Sequence, residues 1–362
     1  VTDPGGEAAP TDILSIRIGA LHFPMHRYIW YECPIRCITR HVEGGAMLRE
    51  RLTQPVYDIS GRHDQPDLYG GPAGDPGLCG GPGSISWKIN GDIGSVATAG
   101  AAAIVLEILH PSVIAGVQDH SSYQRDPFRR ARTTMGYVLG TTFGNTTAAT
   151  NLILGVRNRH AKVTGARPDG VSYRALDPDL LAWVHTCIPW MVMTAFERFN
   201  RPLTPAERDR YLTEQAVIGR MSGADRVPES ITELAELVAA VRPKLAVNEQ
   251  TRAFIDFLLR APFLPPLPGP VDVAAHQFYL RAGMTLAPRW AREMTGLTLP
   301  DAVNRWIAQP YLRRSAQLTR WAFDTPPHVA MATRRVHANS DTDTDRADQE
   351  GVCSAALGTA HA

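Results

Sequence analysis

His160 stands in the string GVRNRHAKVTG, flanked by Arg157 and Arg159, and shares a stripe with Ala149, Leu152, Ile153, Val156 and Val163 at spacings of three and four. An imidazole on a buried helix face can ligate a metal or a haem iron, because its neutral nitrogen is a good donor and the surroundings keep water away. The same pattern also fits a hydrogen-bonded core histidine. Upstream, Arg129, Arg130 and Arg132 precede Thr133 and Thr134 in FRRARTT. Guanidinium groups at Arg129 and Arg132 suit carboxylates such as haem propionates, and the Thr133 hydroxyl can donate to bound oxygen. A solvated basic first turn is the competing reading. His110 and His120 sit in LHPSVIAGVQDHSSY and His185 in AWVHTCIPW, each open to three readings: second metal ligand, distal proton donor, or packed histidine.

Other chemistries lose their support. There is no GxGxxG after a strand, no P-loop, no HExxH and no GxSxG. Di-iron bundles place Glu-x-x-His pairs on two helices, and residues 110–185 carry none. His26, Cys33, Cys37 and His41 resemble a zinc set only superficially, since the Cys-x3-Cys spacing lacks a matching knuckle.

The elements that must position these residues are helices. Asp126-Pro127 reads as N-cap and first position of a helix running to Gly144; Asn145 caps the next, which Gly165 stops. Asp177-Pro178 opens a long apolar helix with a kink at Pro189, whose Leu180, Trp183, Met191 and Phe196 are candidate pocket walls. Thr204 with Glu207, and Ser230 with Glu233, have capping-box spacing. Further helices are predicted over 251–260, 271–295, 299–308 and 311–323, with the Pro-rich loop from Ala261 to Pro270 as a connection within one core. A weak strand alternation covers Ser84 to Asn90. These patterns predict an all-α protein with one main domain over residues 84–336.

The flanks differ. Residues 1–83 include a Gly- and Pro-dense stretch and read as irregular; those before Met47 read as an extension that need not be native. Residues 337–362 have few large apolar side chains and read as a disordered tail. Lys and Arg total 37 against 36 Asp and Glu, which gives no electrostatic case for nucleic acid. Five scattered cysteines suit a reducing compartment, no uncharged apolar run has the length of a spanning helix, and no secretory leader is visible. Cytoplasmic localisation is the resulting expectation.

Read together, LEILHPSVIAGVQDHSSYQRDPFRRARTT, VRNRHAKVTG and SYRALDPDLLAWVHTCIPWMVMTAFERFNRPLTPAERDRYLTE resemble the oxygenase family of bacterial latex-clearing protein, the rubber oxygenase, and fungal MpaB. The resemblance covers about residues 84–336. It implies a globin-like multi-helix bundle around haem b, with His160 as the proximal iron ligand and dioxygen as co-substrate. The family's Arg-x-x-basic-Thr element beside the haem corresponds to Arg129, Arg132 and Thr133, with Arg132 standing where rubber oxygenases carry lysine. His120 corresponds to a distal residue. The implied reaction is a dioxygenase-type attack on an isoprenoid or lipid alkene; a haem peroxidase or monooxygenase, or a non-catalytic haem or lipid carrier, stays open on the residues alone.

Overall fold

In the computed structural model the described residues are 49–50, 53–54, 57, 65–261 and 270–338, all within the compact unit Ala46–Ala362. The His26–His41 set, the extension before Met47, the centre of the Pro-rich loop and the tail beyond residue 338 lie outside them.

The described chain is helical, as its periodicity predicts, with one small hairpin. After α1 (Pro66–Tyr69) a glycine-rich turn leads into α2 (Ile85–Asn90), where the alternating pattern suggested a strand. Two interactions explain the difference. Ser84 accepts from the Trp87 amide, and the carboxylate of Glu214, more than a hundred residues away, accepts from the Ile85 and Ser86 amides. Orphan N–H groups at a helix start are thereby satisfied by a tertiary contact that no local pattern reveals.

The succeeding helices begin where the capping residues stand. Asp92 caps α3 (Ile93–Ile108), His110 caps α4 (Pro111–His120), Asp126 caps α5 (Pro127–Phe143) and Asn145 caps α6 (Thr146–His160). After α6 the chain forms an antiparallel hairpin of β1 (Thr164–Ala166) and β2 (Ser172–Arg174). Gly165 is more than a helix stop: it pairs with Tyr173, and a Cβ there would lie 2.6 Å from the Tyr173 hydroxyl. Asp177 then caps α7 (Pro178–Phe199), which continues through Pro189.

Thr204 and Glu207 make a reciprocal capping box at α8 (Pro205–Ser222). Ser230 caps α9 (Ile231–Val241), but Glu233 turns to the Glu229 amide instead of closing a box. Beyond α10 (Glu249–Leu258), the stretch expected as one helix over 271–295 is two, α11 (Pro270–Met284) and α12 (Arg289–Thr295), separated by the turn before Pro288. The reverse correction applies to 299–308 and 311–323. Asp301–Val303, a π-turn over Asn304–Ala308 and Gln309–Phe323 form one helix, α13. Pro310 has no N–H and its ring crowds the carbonyl a turn earlier; the π-turn, in which the Gln309 amide bonds to the Asn304 carbonyl, carries the helix past it.

The core is built on α7 against α3. Val105, Leu106, Trp183, Cys187 and Met191 are fully buried there, and the Trp183 indole donates to the Leu106 carbonyl. By length and composition α7 also qualifies as a membrane span; here it is the central helix of the bundle. On the other side of α3, Gly94 admits the backbone of α13: a Cβ would stand 2.6 Å from the Ala316 carbonyl oxygen. Asp92 locks this junction by accepting from Asn200 and from Arg320, which also donates to the Phe199 carbonyl.

A second cluster, including Tyr69, Trp87, Phe143 and Phe323, seals the opposite end. It is clasped by Arg335, from a terminal helix over residues 327–338. Its guanidinium is almost wholly buried and donates to the carbonyls of Tyr69, Asp75 and Phe143. Asp75 in turn accepts from the Gly77 amide and from Thr146, so one cation organises the glycine-rich turn, the end of α5 and the start of α6. Gly77 is required within this turn: its φ is +69° and a Cβ would stand 2.4 Å from the Gly144 oxygen. Replacing Arg335 by Met strands several buried carbonyls, and the urea unfolding free energy is expected to fall by about 3–5 kcal/mol.

Candidate active site

A cavity of about 530 Å³ opens between α3, α5, α6, α7 and α8. Helical geometry selects which residues reach it. On α5 the stripe Arg129, Arg130, Thr133, Thr134, Tyr137, Val138 and Thr141 faces inward, following the 3.6-residue period. Arg129, Arg130, Thr133 and Thr134 are exposed, so the cavity reaches solvent along the first turns of α5. Val156, Arg159 and His160 come from the end of α6; Val184, His185, Ile188 and Pro189 come from α7. Apolar contacts from Val138, Val156, Val184, Ile188 and Ile218 sit beside a polar floor of Asn90, Glu107, Tyr211 and Gln215.

His160 lines this cavity, and no described residue hydrogen-bonds to its ring. Burial first, then the charges of Arg130 and Arg159, hold its pKa below the ordinary histidine value, so the ring is neutral. His185 also lines the cavity; burial, with a smaller contribution from His160, pushes its pKa down to about 4. Glu107 shifts the opposite way. Burial raises its carboxyl to about 7 despite the opposing charge of Arg130, and the same carboxylate helps to push the Cys187 thiol up. A carboxyl poised near neutrality in a cavity is the ordinary requirement for moving a proton.

The floor is held by hydrogen bonds. Tyr211 donates to Asn90, Asn90 to Thr142, and Thr142 to the Val138 carbonyl. Gln215 donates to Ser86, and Tyr137 pairs with Ser222.

Of the residues singled out in the sequence, His160, Arg129, Thr133 and His120 meet at this cavity and Arg132 does not. Arg132 falls on the far side of the α5 stripe, 3.9 Å from Asp126; Arg130 takes the inward position expected of it. Thr133 is present but its hydroxyl donates to the Arg129 carbonyl, so the expected donation toward bound oxygen is already committed to the helix. Arg129 donates to Ser122 at the rim. His120, also at the rim, has Nε2 3.2 Å from the Thr164 carbonyl and its ring edge-on to Tyr173.

The expected walls are corrected by the same geometry. Trp183, Met191 and Phe196 point into the core, and Leu180 lines a separate polar cavity with His110 and Lys244. His110 is therefore no partner of His160: its Nδ1 accepts from the Ser112 amide as the cap of α4. The string Glu107 to His110 does contain Glu-x-x-His, but the break between α3 and α4 sends its two ends to different cavities. Glu107, Arg130, Arg159, Tyr137 and Tyr211 were not expected here. Glu107 alone carried a local signal, as the single carboxylate in the apolar helix α3.

The bundle and its cavity define a class: an all-α protein with a cation-rimmed site, open along α5, that two neutral imidazoles, His160 and His185, face. Residues 87–321, a span that holds every lining residue, match the catalytic-domain family described as ER-bound oxygenase mpaB/B'/rubber oxygenase, and this chain belongs to that oxygenase family. Among curated proteins it is similar to the uncharacterized proteins Rv2237 of Mycobacterium tuberculosis and Mb2261 of Mycobacterium bovis. Each is 30% identical over 190 residues, covering 50% of this chain and 69% of the relative. No solved structure matches it.

Burial, Lys244 and Arg167 lower the His110 pKa to about 4, against the opposing charge of Asp177. A histidine depressed in the fold takes up a proton on unfolding between about pH 4 and 6.5, so stability is lost as pH falls through that window. Asn caps a helix as well as His110 does. His110→Asn is thus expected to preserve the fold and to reduce the proton uptake of unfolding near pH 5 by about one, measured from the pH dependence of unfolding.

Proposed function

We propose that this oxygenase holds haem b with His160 as the protein ligand to iron, and uses dioxygen to cleave the double bond of an isoprenoid or lipid alkene. The carrying observation is the neutral His160 imidazole, without a hydrogen-bond partner among the described residues, facing a cavity. Among the described residues no three His, Cys, Asp or Glu side chains gather to hold a bare metal ion. An open imidazole without a cluster of further ligands suits a metal that would bring most of its own ligands with it, as haem iron does.

The surrounding residues fit the group. Arg129, Arg130 and Arg159 offer guanidinium donors at the rim, where propionate carboxylates can be paired and stay hydrated. Haem, when bound, supplies the binding and activation of dioxygen that protein side chains lack. The protein's own share is orientation, exclusion of water and proton control. Val138, Val156, Val184, Ile188 and Ile218 present an apolar surface to a hydrocarbon substrate, whose polar or extended end can leave by the open edge along α5. Glu107 can accept or hold a proton near pH 7, while His185 stays neutral.

Cleavage of an alkene by one dioxygen gives two carbonyl products with no external reductant. The proposed substrate is an isoprenoid or lipid alkene of the cytoplasm, not polymeric rubber, and the supporting feature is the apolar lining from Val138, Val156, Val184, Ile188 and Ile218. The haem-loaded protein, given isoprenoid alkenes in oxygenated buffer, is expected to consume one dioxygen for each pair of carbonyls formed. A requirement for peroxide or for an electron donor would transfer the assignment to a peroxidase or monooxygenase.

Glu107→Gln separates proton transfer from binding. Its kcat is expected to fall by roughly 10²–10⁴-fold with little change in KM, and the limb of the kcat–pH profile near 7 is expected to vanish. An unchanged profile would remove Glu107 from the reaction.

A further inference from the structure

α13 carries an apolar stripe on the side turned away from the core. Ala308, Leu312, Ala316 and Ala322 are buried on its inner face, whereas Ile307, Tyr311, Leu318 and Trp321 repeat along the outer one and are all exposed. Trp306, beside Ile307 in the π-turn, is 73% exposed. An indole this open, next to a row of four other large apolar side chains, marks an interaction surface rather than scattered surface variation.

Along α13 itself, beyond its first residue, the charge has one sign. Between Asp301 and Asp324 the chain has Arg305, Arg313, Arg314 and Arg320 and no carboxylate. Arg320 is engaged with Asp92 at the core junction; Arg305, Arg313 and Arg314 are exposed on the same helix, Arg313 also donating to the Arg198 carbonyl. Arg49 adds a further cation over the Trp321 ring, 5.0 Å from its centroid.

Two occupants suit an exposed heptad-like stripe, a second copy of the helix or a lipid surface. Arg314 lies at its midpoint, with Ile307 and Tyr311 on one side and Leu318 and Trp321 on the other. Twofold antiparallel pairing would therefore set Arg314 against its own copy, with no carboxylate on the stripe to answer either charge. An anionic lipid surface answers all of them. Trp and Tyr prefer the headgroup level, and arginine stems lie along apolar surface while their guanidinium heads reach phosphates.

We propose that α13 docks this protein on an anionic membrane surface, its apolar stripe entering the headgroup boundary and Arg305, Arg313 and Arg314 pairing with lipid phosphates. The attachment is peripheral and independent of the haem assignment. The full chain is expected to co-sediment with phosphatidylcholine vesicles containing phosphatidylglycerol, in a salt-sensitive manner and with a blue shift of tryptophan fluorescence, and to leave pure phosphatidylcholine vesicles largely unbound.

Trp306→Ser with Ile307→Ser is expected to weaken this binding at least about tenfold, and Arg313→Gln with Arg314→Gln by roughly 25-fold at low salt. All four side chains are exposed and the one hydrogen bond lost, from Arg313 to the Arg198 carbonyl, lies at the surface, so thermal unfolding of both variants is expected to stay close to that of the parent chain and excludes misfolding as the cause. Failure to bind either vesicle, or binding that both variants retain, would overturn the proposal. So would a concentration-dependent dimer in vesicle-free buffer that the Trp306 and Ile307 changes abolish, which would give the face to a second copy.

Discussion

The packing of α7 against α3 sets the environment of every group in the cavity. The Trp183 indole donates to the Leu106 carbonyl and Cys187 packs beneath it, so the two helices have a defined register. One face of α7 is consumed in the core by Trp183, Cys187 and Met191; the adjoining face presents Val184, His185, Ile188 and Pro189 to the cavity. The register also brings Glu107, one residue beyond Leu106, to the cavity floor. Pro189 lacks the amide that would bond to the His185 carbonyl, so the helix is locally weakened at the point where it meets the site.

From this burial follows the electrostatic character of the site. Desolvation disfavours charge, and it acts in opposite directions on imidazole and carboxyl: His160 and His185 are kept neutral, while Glu107 is moved toward neutrality of its own. Arg130 works on both sides, opposing the rise at Glu107 and deepening the fall at His160. A rim of permanent cations over a floor of suppressed charges can attract an anionic cofactor edge without protonating the imidazole that would bind its metal. Such a division of labour suits the apolar substrate proposed for the site.

The fold was legible wherever the determinant was local. Asp126, Asn145, Asp177 and Thr204 announce their helices because capping is a matter of one side chain and the next turn, and the stripe ending at His160 gives its face directly. It was illegible where distant residues decide. α2 depends on Glu214, the hairpin on the pairing of Gly165 with Tyr173, and the continuity of α13 on a π-turn that accommodates Pro310. Within the site, type and spacing marked His160, Arg129, Thr133 and His120 as candidates and the family resemblance assigned them to one site, whereas the choice of Arg130 over Arg132 needed the orientation of α5. The broken pair Glu107 and His110 shows the same limit: four consecutive residues spell a ligand motif, and a helix boundary sends its ends to different cavities.

The most direct test of haem ligation by His160 is the visible absorption of the purified chain reconstituted with haem, compared among wild type, His160→Ala and His185→Ala. His160→Ala is expected to lose the Soret band or shift it strongly, and His185→Ala to retain a bound haem. A wild type that takes up no haem, or a His160→Ala spectrum identical to that of the wild type, would contradict the assignment.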